Sequence, residues 1–322
     1  MPILPHGATR PILVTGSHRS GTTWVGRTLV RSRRLGWVAE PFHPRHRRTV
    51  FAAEVPRWYT YVCGDNEGPY RQAMADTLAG RYGWSQTAAT VRRPLDAALA
   101  ARDVGRFLTR RALRQRPVLK DPLALFSTPW LADRFGADVI LLVRHPAAMA
   151  QSLQRLNWRF NLSQLLDQPL LVRDLLGPWE DELRRAVARG RANRDVIDEA
   201  ALLWKLVYGV AARWRDQGHG WLFMRHEDMS ADPTAGFDQI FAHVGLPFTG
   251  SIRRYVGRTT GRSNPAAAPQ GRTHALARDS RANAWSWRGS LAAGDVERVR
   301  RLTAGVVERW YDDADWDTDP EA

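Results

Sequence analysis

An early Gly-x-x-x-x-Gly segment restricts the possible folds of this chain more than any other feature. A short β-branched run at 11–15 leads directly into Gly16-Ser-His-Arg-Ser-Gly21, and a helical pattern through Val25, Leu29 and Val30 follows. A strand, a tight turn and a helix in this order direct backbone N–H groups and a helix N-terminus at one spot. The segment therefore predicts a phosphate-binding loop.

The charged residues of this loop differ from those of a nucleotide triphosphatase. Such an enzyme carries Lys and then Ser or Thr after the second glycine, where they reach the β- and γ-phosphates and bind Mg²⁺. Here Thr22 and Thr23 follow Gly21, and the cation, Arg19, lies upstream. We therefore expect phosphate binding without the usual triphosphate apparatus and without a metal.

The composition is that of a globular protein with an excess of arginine. Its 322 residues suffice for one α/β domain or two small ones, and the net charge is +14. Because the arginines are spread over the whole chain, we expect anionic ligands but no nucleic-acid partner. No apolar run reaches the roughly 20 residues that span a bilayer, and the first residues lack a signal-peptide pattern. We therefore expect a cytoplasmic protein with no membrane partner.

Strand and helix patterns alternate along the chain, which is typical of a parallel sheet with helices on both faces. We predict an α/β fold of the P-loop-like type, with three α/β/α layers around a central parallel sheet. The predicted strands lie at 11–15, 35–39, 117–120, 138–143 and 220–225. The predicted helices lie at 21–33, 70–82, 94–113, 127–135, 146–157, 196–215, 233–244 and 295–311, and residues 257–283 are expected to form a mobile loop.

A second motif follows the most apolar predicted strand. That strand ends at Arg144, and Ser152 lies eight residues later on the next helix. The helix rises about 9 Å from Pro146 to Ser152, so a long guanidinium at the strand end can share an anion with the serine hydroxyl. In open α/β sheets, ligands bind at the carboxyl ends of strands. The alternative is that Arg144 pairs with a surface carboxylate and that Ser152 has no role.

Together the two motifs resemble those of the sulfotransferases that use 3′-phosphoadenosine 5′-phosphosulfate (PAPS). In that family the first loop binds the 5′-phosphosulfate end, and an arginine–serine pair binds the 3′-phosphate. The resemblance implies PAPS as the donor and 3′,5′-adenosine bisphosphate as the product. It assigns nucleotide binding to Arg19, Ser20, Gly21, Thr22, Thr23, Arg144 and Ser152.

Further segments extend the resemblance over most of the chain, which implies one sulfotransferase domain at residues 1–322. These segments are Leu119-Lys-Asp-Pro122, the helix with Trp204, Arg225-His-Glu-Asp228 through Pro233, and Trp285-Ser-Trp-Arg288 through Leu291. The last is similar to a segment that folds over the nucleotide. We therefore expect residues 257–290 to cover the cofactor, with Ser280 and Arg288 in contact with it. The unmatched residues 45–116 are expected to form an insertion on the acceptor side.

The chain resembles the carbohydrate and tyrosylprotein branches of the family more than the cytosolic phenol and steroid branch. The latter branch carries Lys in the first loop and an Arg-Lys-Gly-x-x-Gly-Asp-Trp signature, and neither occurs here. His18-Arg19-Ser20 is one residue away from the Pro-Arg-Ser of the tyrosylprotein branch, and Glu40-Pro41-Phe42 resembles a carbohydrate-branch segment. We expect a small-molecule or carbohydrate acceptor, whereas the sequence carries no signal for the oligomeric state.

Sulfuryl transfer itself restricts the catalytic residues. Negative charge builds on the departing 5′-phosphate oxygen, so Arg19 and nearby N–H groups are placed to stabilise it. The acceptor also needs a base, for which Glu40, at a predicted strand end, is the first candidate and His43 the second. Lys120, at another strand end, is a candidate contact of the sulfuryl group. The alternatives are an ion pair between Glu40 and an arginine, and one between Lys120 and Asp121 or Glu227.

Two other functions compete with sulfuryl transfer. A P-loop kinase-like phosphotransferase would also bind a phosphate at residues 16–21, but it would need the missing lysine after Gly21. A basic nucleic-acid-binding protein would account for the net charge of +14. The sequence favours the sulfotransferase because both phosphate motifs are present.

Overall fold

The structure is a computed structural model that describes residues 10–84, 92–265 and 277–317. Within them, five strands form one parallel sheet in the order β2-β3-β1-β4-β5. The strands are β1 (Ile12–Gly16), β2 (Leu35–Ala39), β3 (Arg116–Lys120), β4 (Asp138–Val143) and β5 (Leu222–Arg225). The predicted parallel α/β sheet is thus confirmed, and each strand lies within two residues of its predicted bounds.

Of the fourteen helices in the described part, eight lie at predicted positions and six were not predicted. The helices are α1 (Thr22–Leu29), α2 (Gly68–Leu78), α3 (Pro94–Ala112), α4 (Thr128–Phe135), α5 (Pro146–Arg155), α6 (Ser163–Leu166), α7 (Pro169–Leu171), α8 (Glu180–Ala188), α9 (Val196–Asp216), α10 (His226–Ala231), α11 (Pro233–His243), α12 (Gly250–Thr260), α13 (Ser280–Ala284) and α14 (Ala293–Thr303). Short 3-10 turns lie at Pro122–Ser127, Gly177–Trp179, Arg191–Asn193, Val307–Arg309 and Ala314–Trp316, and a π-helical turn at Val172–Leu176.

Among the matching helices, α1, α2 and α14 end four or more residues earlier than predicted, and the unpredicted helices are α6, α7, α8, α10, α12 and α13. α1 is shorter than predicted because the chain turns after Leu29, and α14 ends early because Gly305 adopts a φ of 81° beyond it. The predicted loop at 257–283 was wrong for its described ends. Burial of Ile252 and Val256, one helical turn apart, anchors α12, and the Asp279 side chain caps α13 by accepting from the Ala282 N–H.

Contacts within the described chain form two compact units. The first comprises the described residues up to Thr15 and Val25–Ile140, and the second comprises Gly16–Trp24 and the described residues from Leu141 onward. The prediction of a single domain at 1–322 is not tested by this division and stays a prediction.

The first unit contains the paired strands that position one group of candidate residues. Ile12, Leu13 and Val14 of β1 pair in parallel register with Val118, Leu119 and Lys120 of β3. β2 pairs with the other side of β3, and Ala39 lies opposite Lys120. Parallel strands end at the same edge of a sheet. This register therefore places Glu40, which follows β2, next to Lys120 and Asp121 at the end of β3.

The second unit has its core around α9. This helix packs against α5 and α14, and it buries Trp204 and Tyr208 completely. α5 begins at Pro146, where the fixed φ of proline suits the first helical position. His145, just before it, accepts the Ala147 N–H through Nδ1 and caps the helix. The proline and the cap together fix where α5 begins, between Arg144, which follows β4, and Ser152 within the helix.

Among the described residues, no helix combines the length and the apolar character needed to cross a membrane.

Candidate functional site

Residues 16–21 form the tight turn that the glycine spacing predicts. Gly16 and Gly21 have φ values of 142° and 97°, and Arg19 has a φ of 73°. A side chain at residue 16 would come within 2.3 Å of the Leu142 carbonyl oxygen, so that position requires glycine. The Ser20 hydroxyl donates to the Ser17 carbonyl oxygen at 2.7 Å and closes the turn. We name residues 16–23 the phosphate loop.

The phosphate loop leads directly into α1, as expected. Ser20 and Thr22 are buried, Thr23 is half-buried, and α1 begins at Thr22. The first N–H groups of a helix have no partner within that helix and attract anions. The predicted binding residues 19–23 thus share one short segment at a helix N-terminus.

Two aromatic side chains of α9 hold this region through their polar tips. The Tyr208 hydroxyl accepts the Ser17 N–H at 3.1 Å and donates to the Leu142 carbonyl oxygen at 3.0 Å. The Trp204 indole donates to the Arg144 carbonyl oxygen at 2.7 Å. Only the helix with Trp204 was singled out from the sequence, and this positioning role was not predicted. Buried Tyr and Trp usually find a hydrogen-bond partner, but no local pattern in the sequence identifies that partner.

The three main candidates for phosphate binding lie together in the second unit. Arg144 donates from Nη1 to the Arg19 carbonyl oxygen at 2.8 Å, and Arg19 donates from Nε to the Ser152 hydroxyl at 3.0 Å. Arg144 is 8% exposed and Ser152 3%. The alternative, in which Arg144 pairs with a surface carboxylate, is wrong for the described residues. That Arg144 and Ser152 share an anion stays a prediction, and the Ser152 hydroxyl also contacts Arg19.

Two further guanidinium groups join Arg19 and Arg144. The pKa of Arg19 is lowered to about 10, mainly by burial and further by the positive charges of Arg144, Arg278 and Arg155. Burial and the charges of Arg144 and Arg155 likewise lower the pKa of Arg278. We name Arg19, Arg144, Arg155 and Arg278 the arginine cluster. The repulsion among these positive charges favours the binding of an anion, whose negative charge would offset it.

The sequence analysis missed Arg155 and Arg278. Arg155 lies three residues after Ser152 on α5, so helical spacing could have revealed it. Arg278 lies among many arginines between α12 and α13, where no pattern distinguishes it.

A buried histidine packs against Gly21. A side chain at position 21 would lie 2.7 Å from the His226 Nδ1 atom, so the glycine makes room for this ring. Burial and the charges of Arg144 and Arg278 lower the pKa of His226 to about 3, which keeps the ring neutral at physiological pH. Within the described residues, neither His226 Nδ1 nor Arg144 Nε has a hydrogen-bond partner.

The two predicted contacts from the C-terminal part have identified neighbours. The Ser280 hydroxyl donates to the Ser230 carbonyl oxygen at 2.9 Å, and the Arg288 guanidinium lies over the Trp285 ring at 4.2 Å. Ser280 thus ties α13 to the end of α10. Nucleotide contacts by Ser280 and Arg288, and a covering role for residues 257–290, stay predictions.

The catalytic candidates Glu40 and Lys120 form an ion pair in the first unit. The Glu40 N–H also donates to the Lys120 carbonyl oxygen at 2.9 Å, and Glu40 adopts a left-handed φ of 44°. The side chain of Lys120 is 7% exposed and that of Glu40 33%. The partner of Glu40 is thus one of the two lysines of the chain and not an arginine. A partly exposed carboxylate held by a buried ammonium suits a base, but the structure does not test that role.

His43, the second candidate base, lies near this pair. Its Nδ1 accepts the Arg45 N–H at 2.9 Å, and its ring contacts Trp58 edge-on. Burial lowers the pKa of His43, and the nearby Glu40 carboxylate partly offsets this effect. The ring is therefore largely neutral at physiological pH.

Asp121 is a buried carboxyl group next to the Glu40–Lys120 pair. Its two oxygens accept the Phe42 N–H at 2.6 Å and the Leu123 N–H at 2.9 Å. Burial, together with the charge of Glu40, raises the pKa of Asp121 to about 7. The sequence analysis considered Asp121 only as an ion-pair partner, whereas the structure shows that it fixes the segment after β2.

The raised pKa of Asp121 predicts a pH-dependent stability. The folded protein binds this proton more tightly than the unfolded chain, in which the pKa is about 4. Stability from this group is therefore complete below about pH 4 and falls as the pH rises to about 7, by on the order of 4 kcal/mol. We expect the free energy of unfolding of Asp121→Asn, measured by urea unfolding, not to fall in this way between pH 5 and 7. Asparagine offers one oxygen acceptor fewer, which lowers the stability by the same amount at every pH. Parallel curves for the two proteins over that window would contradict the assignment.

No curated protein matches the chain at a significant level. Similar solved structures include the sulfotransferase domain from the curacin biosynthetic pathway (14% identity, 91% of this chain and 97% of that chain covered, TM-score 0.45). They also include sulfotransferase STF9 from Mycobacterium avium (14% identity, 94% of this chain and 76% of that chain covered, TM-score 0.45). A third is the sulfotransferase domain of the Synechococcus PCC 7002 olefin synthase (18% identity, 97% of this chain and 99% of that chain covered, TM-score 0.44).

A sequence model of the sulfotransferase family matches residues 11–250, which is well over half of the chain. The matched residues include the phosphate loop, Glu40, Lys120, Arg144 and Ser152. The resemblance stated from the motifs is thus confirmed, although the branch within the family stays a prediction. The chain belongs to the sulfotransferase family.

Proposed function

We propose that this chain transfers a sulfuryl group from PAPS to a hydroxyl or amine of a small-molecule or carbohydrate acceptor. The arginine cluster beside the phosphate loop carries the proposal. Burial and the charges of Arg144, Arg278 and Arg155 lower the pKa of Arg19, and burial and the charges of Arg144 and Arg155 lower that of Arg278, so a bound anion would stabilise the cluster. Adenosine bisphosphate has phosphates at both its 3′ and 5′ positions and can supply that charge.

The residues present fit such a nucleotide. The phosphate loop offers backbone N–H groups at the start of α1, and Arg144 adds a buried Nε–H that no described residue accepts. The His226 Nδ1 atom, against Gly21, is a second buried nitrogen without a hydrogen-bond partner among the described residues. A triphosphate fits less well, because Thr22 occupies the position of the lysine that would reach its outer phosphates.

The bound donor supplies the sulfuryl group, whose sulfur leaves the 5′-phosphate oxygen and bonds to the acceptor oxygen or nitrogen. We propose that Arg19 and the first N–H groups of α1 stabilise the negative charge that develops on the phosphate. Glu40 takes the proton from the acceptor, and Lys120 holds the Glu40 carboxylate in one position. His43, largely neutral, is the second candidate for the base.

Ligand-dependent thermal stability tests the donor. We expect 3′,5′-adenosine bisphosphate at 100 times its Kd to add about 2.7 kcal/mol to the free energy of unfolding, without Mg²⁺. Adenosine 5′-monophosphate, which lacks the 3′-phosphate, should bind more weakly, and so should ATP. Thermal unfolding followed by circular dichroism measures these shifts. Equal or greater stabilisation by Mg²⁺-ATP would point instead to a phosphotransferase.

A further inference from the structure

Helix α3 (Pro94–Ala112), in the first unit, buries two charged side chains. A surface helix normally buries apolar residues and exposes charged ones. The buried residues of α3 instead include Asp103 and Arg110 beside Phe107. Asp103 pairs with Arg47 at 2.5 Å, and Arg110 donates to the Thr77 carbonyl oxygen. These inward charges have partners, so they define which side of the helix faces the protein.

The opposite side of α3 carries no charge. At about 100° per residue, half of the helix circumference is free of Asp, Glu, Lys and Arg. We name seven exposed residues of this half the α3 outer face: Ala97, Ala98, Ala101, Gly105, Leu108, Thr109 and Ala112. A side chain added at Gly105 would meet only open space. The described residues thus leave a five-turn uncharged face in water.

Leu108 lies on this face, and Leu95 and Leu113 lie at its edge beside Arg102. Five such side chains occur among the described residues: Trp84, Leu95, Leu108, Leu113 and Leu156. The first four lie between residues 84 and 113 and are 58–68% exposed, whereas Leu156 is 37% exposed. Grouped apolar side chains of this kind mark interaction surfaces, while scattered ones need no explanation.

Arginines border the α3 outer face. Arg102 and Arg106 lie along one edge of the uncharged half, and Arg111 lies along the other. Arg92, Arg93 and Arg114 are exposed at the two ends of the helix. The two acids of α3, Asp96 and Asp103, lie on the inward half. An apolar face between cations is the pattern of a helix that lies in the surface of an anionic bilayer.

The charges weigh against other partners. A second copy of this chain also carries a net charge of +14 and would bring its own arginines to the same border. A nucleic acid would require cations at the centre of the face, where Ala101 and Gly105 lie.

We propose that the α3 outer face binds the surface of a bilayer that contains anionic lipids. Leu108 enters the boundary between head groups and acyl chains, and the bordering arginines contact lipid phosphates. The sequence expectation of no membrane partner rested on the absence of a spanning segment, which this mode of binding does not require. The proposal is independent of the sulfuryl-transfer reaction.

Vesicle sedimentation tests this proposal with a matched pair of variants. The full chain is mixed with vesicles of phosphatidylcholine alone or of phosphatidylcholine with phosphatidylglycerol. We expect at least about tenfold stronger binding to the anionic vesicles, and weaker binding at high salt. Ala101→Glu should lower that binding about tenfold or more, because it places a charge in the centre of the apolar face. Ala242→Glu, an equivalent change at an exposed position of α11, should leave it unchanged.

Leu108→Glu is the second variant on the face, and thermal unfolding confirms that each variant is folded. Equal binding of the wild type to both kinds of vesicle, or wild-type binding by both folded variants, would overturn the proposal. A doubled mass in light scattering that Ala101→Glu reduces to one chain, without lipid binding, would overturn it in favour of a second copy.

Discussion

Arg144→Ala is expected to weaken the binding of 3′,5′-adenosine bisphosphate by about 100-fold. Arg144 is buried, its Nε–H has no acceptor among the described residues, and its Nη1 already supports the Arg19 carbonyl oxygen. Hydrogen bonds to charged groups contribute about 1.5–3 kcal/mol, and each 1.4 kcal/mol is a factor of ten in Kd. Titration calorimetry on the purified protein measures the change.

Two further variants separate ligand binding from folding. Arg144→Lys keeps the charge but loses the planar fork of donors, so we expect an intermediate affinity. Arg185→Ala removes an exposed arginine of α8 in the same unit and should bind the nucleotide like the wild type. Wild-type affinity in a folded Arg144→Ala protein would remove the central support for the proposed function.

Glu40→Gln is expected to lower turnover about 100-fold or more while it leaves nucleotide affinity unchanged. General base catalysis typically contributes 10²–10⁴-fold, and glutamine keeps the shape of the side chain but cannot take up a proton. Turnover is measured as transfer of labelled sulfate from PAPS to pooled alcohols, phenols, sugars and amines. Nucleotide affinity should persist because the ion-pair partner of Glu40 is Lys120 and not a member of the arginine cluster.

A matched control and a rival variant complete this test. Glu54→Gln makes the same change at an exposed position of the first unit and should turn over normally. If Glu40→Gln is also normal and His43→Gln is inactive, then His43 is the base. If both variants turn over normally, neither residue is.

The path of the backbone was largely predictable because its determinants are local. The apolar run at 138–143 had to be a buried strand, and Pro146 had to sit at a helix start. The α12 and α13 helices escaped prediction because their anchors, Ile252, Val256 and Asp279, lie among residues that favour loops. The stability of these two helices depends on burial and on one cap. Neither can be deduced from the amino-acid composition of the segment.

The candidate site was predictable in part. The spacing of Gly16 and Gly21 revealed the phosphate loop, since only glycine fits beside the Leu142 carbonyl oxygen and the His226 ring. Arg278 could not be identified from the sequence, because its role depends on its proximity to Arg144 and Arg155 in the folded chain. The clamp from Tyr208 to Ser17 spans 191 positions of the chain and left no local pattern.

By itself, the sequence determined which short segments are strands, turns and helices, and which of them can hold a phosphate. These properties follow from side-chain size, glycine freedom and apolar spacing over a few residues. Only the tertiary structure decided that Lys120 pairs with Glu40, that four arginines repel one another, and that α3 turns its uncharged side to water. Each of these depends on the distance between groups far apart in the chain, and strand order and burial determine that distance.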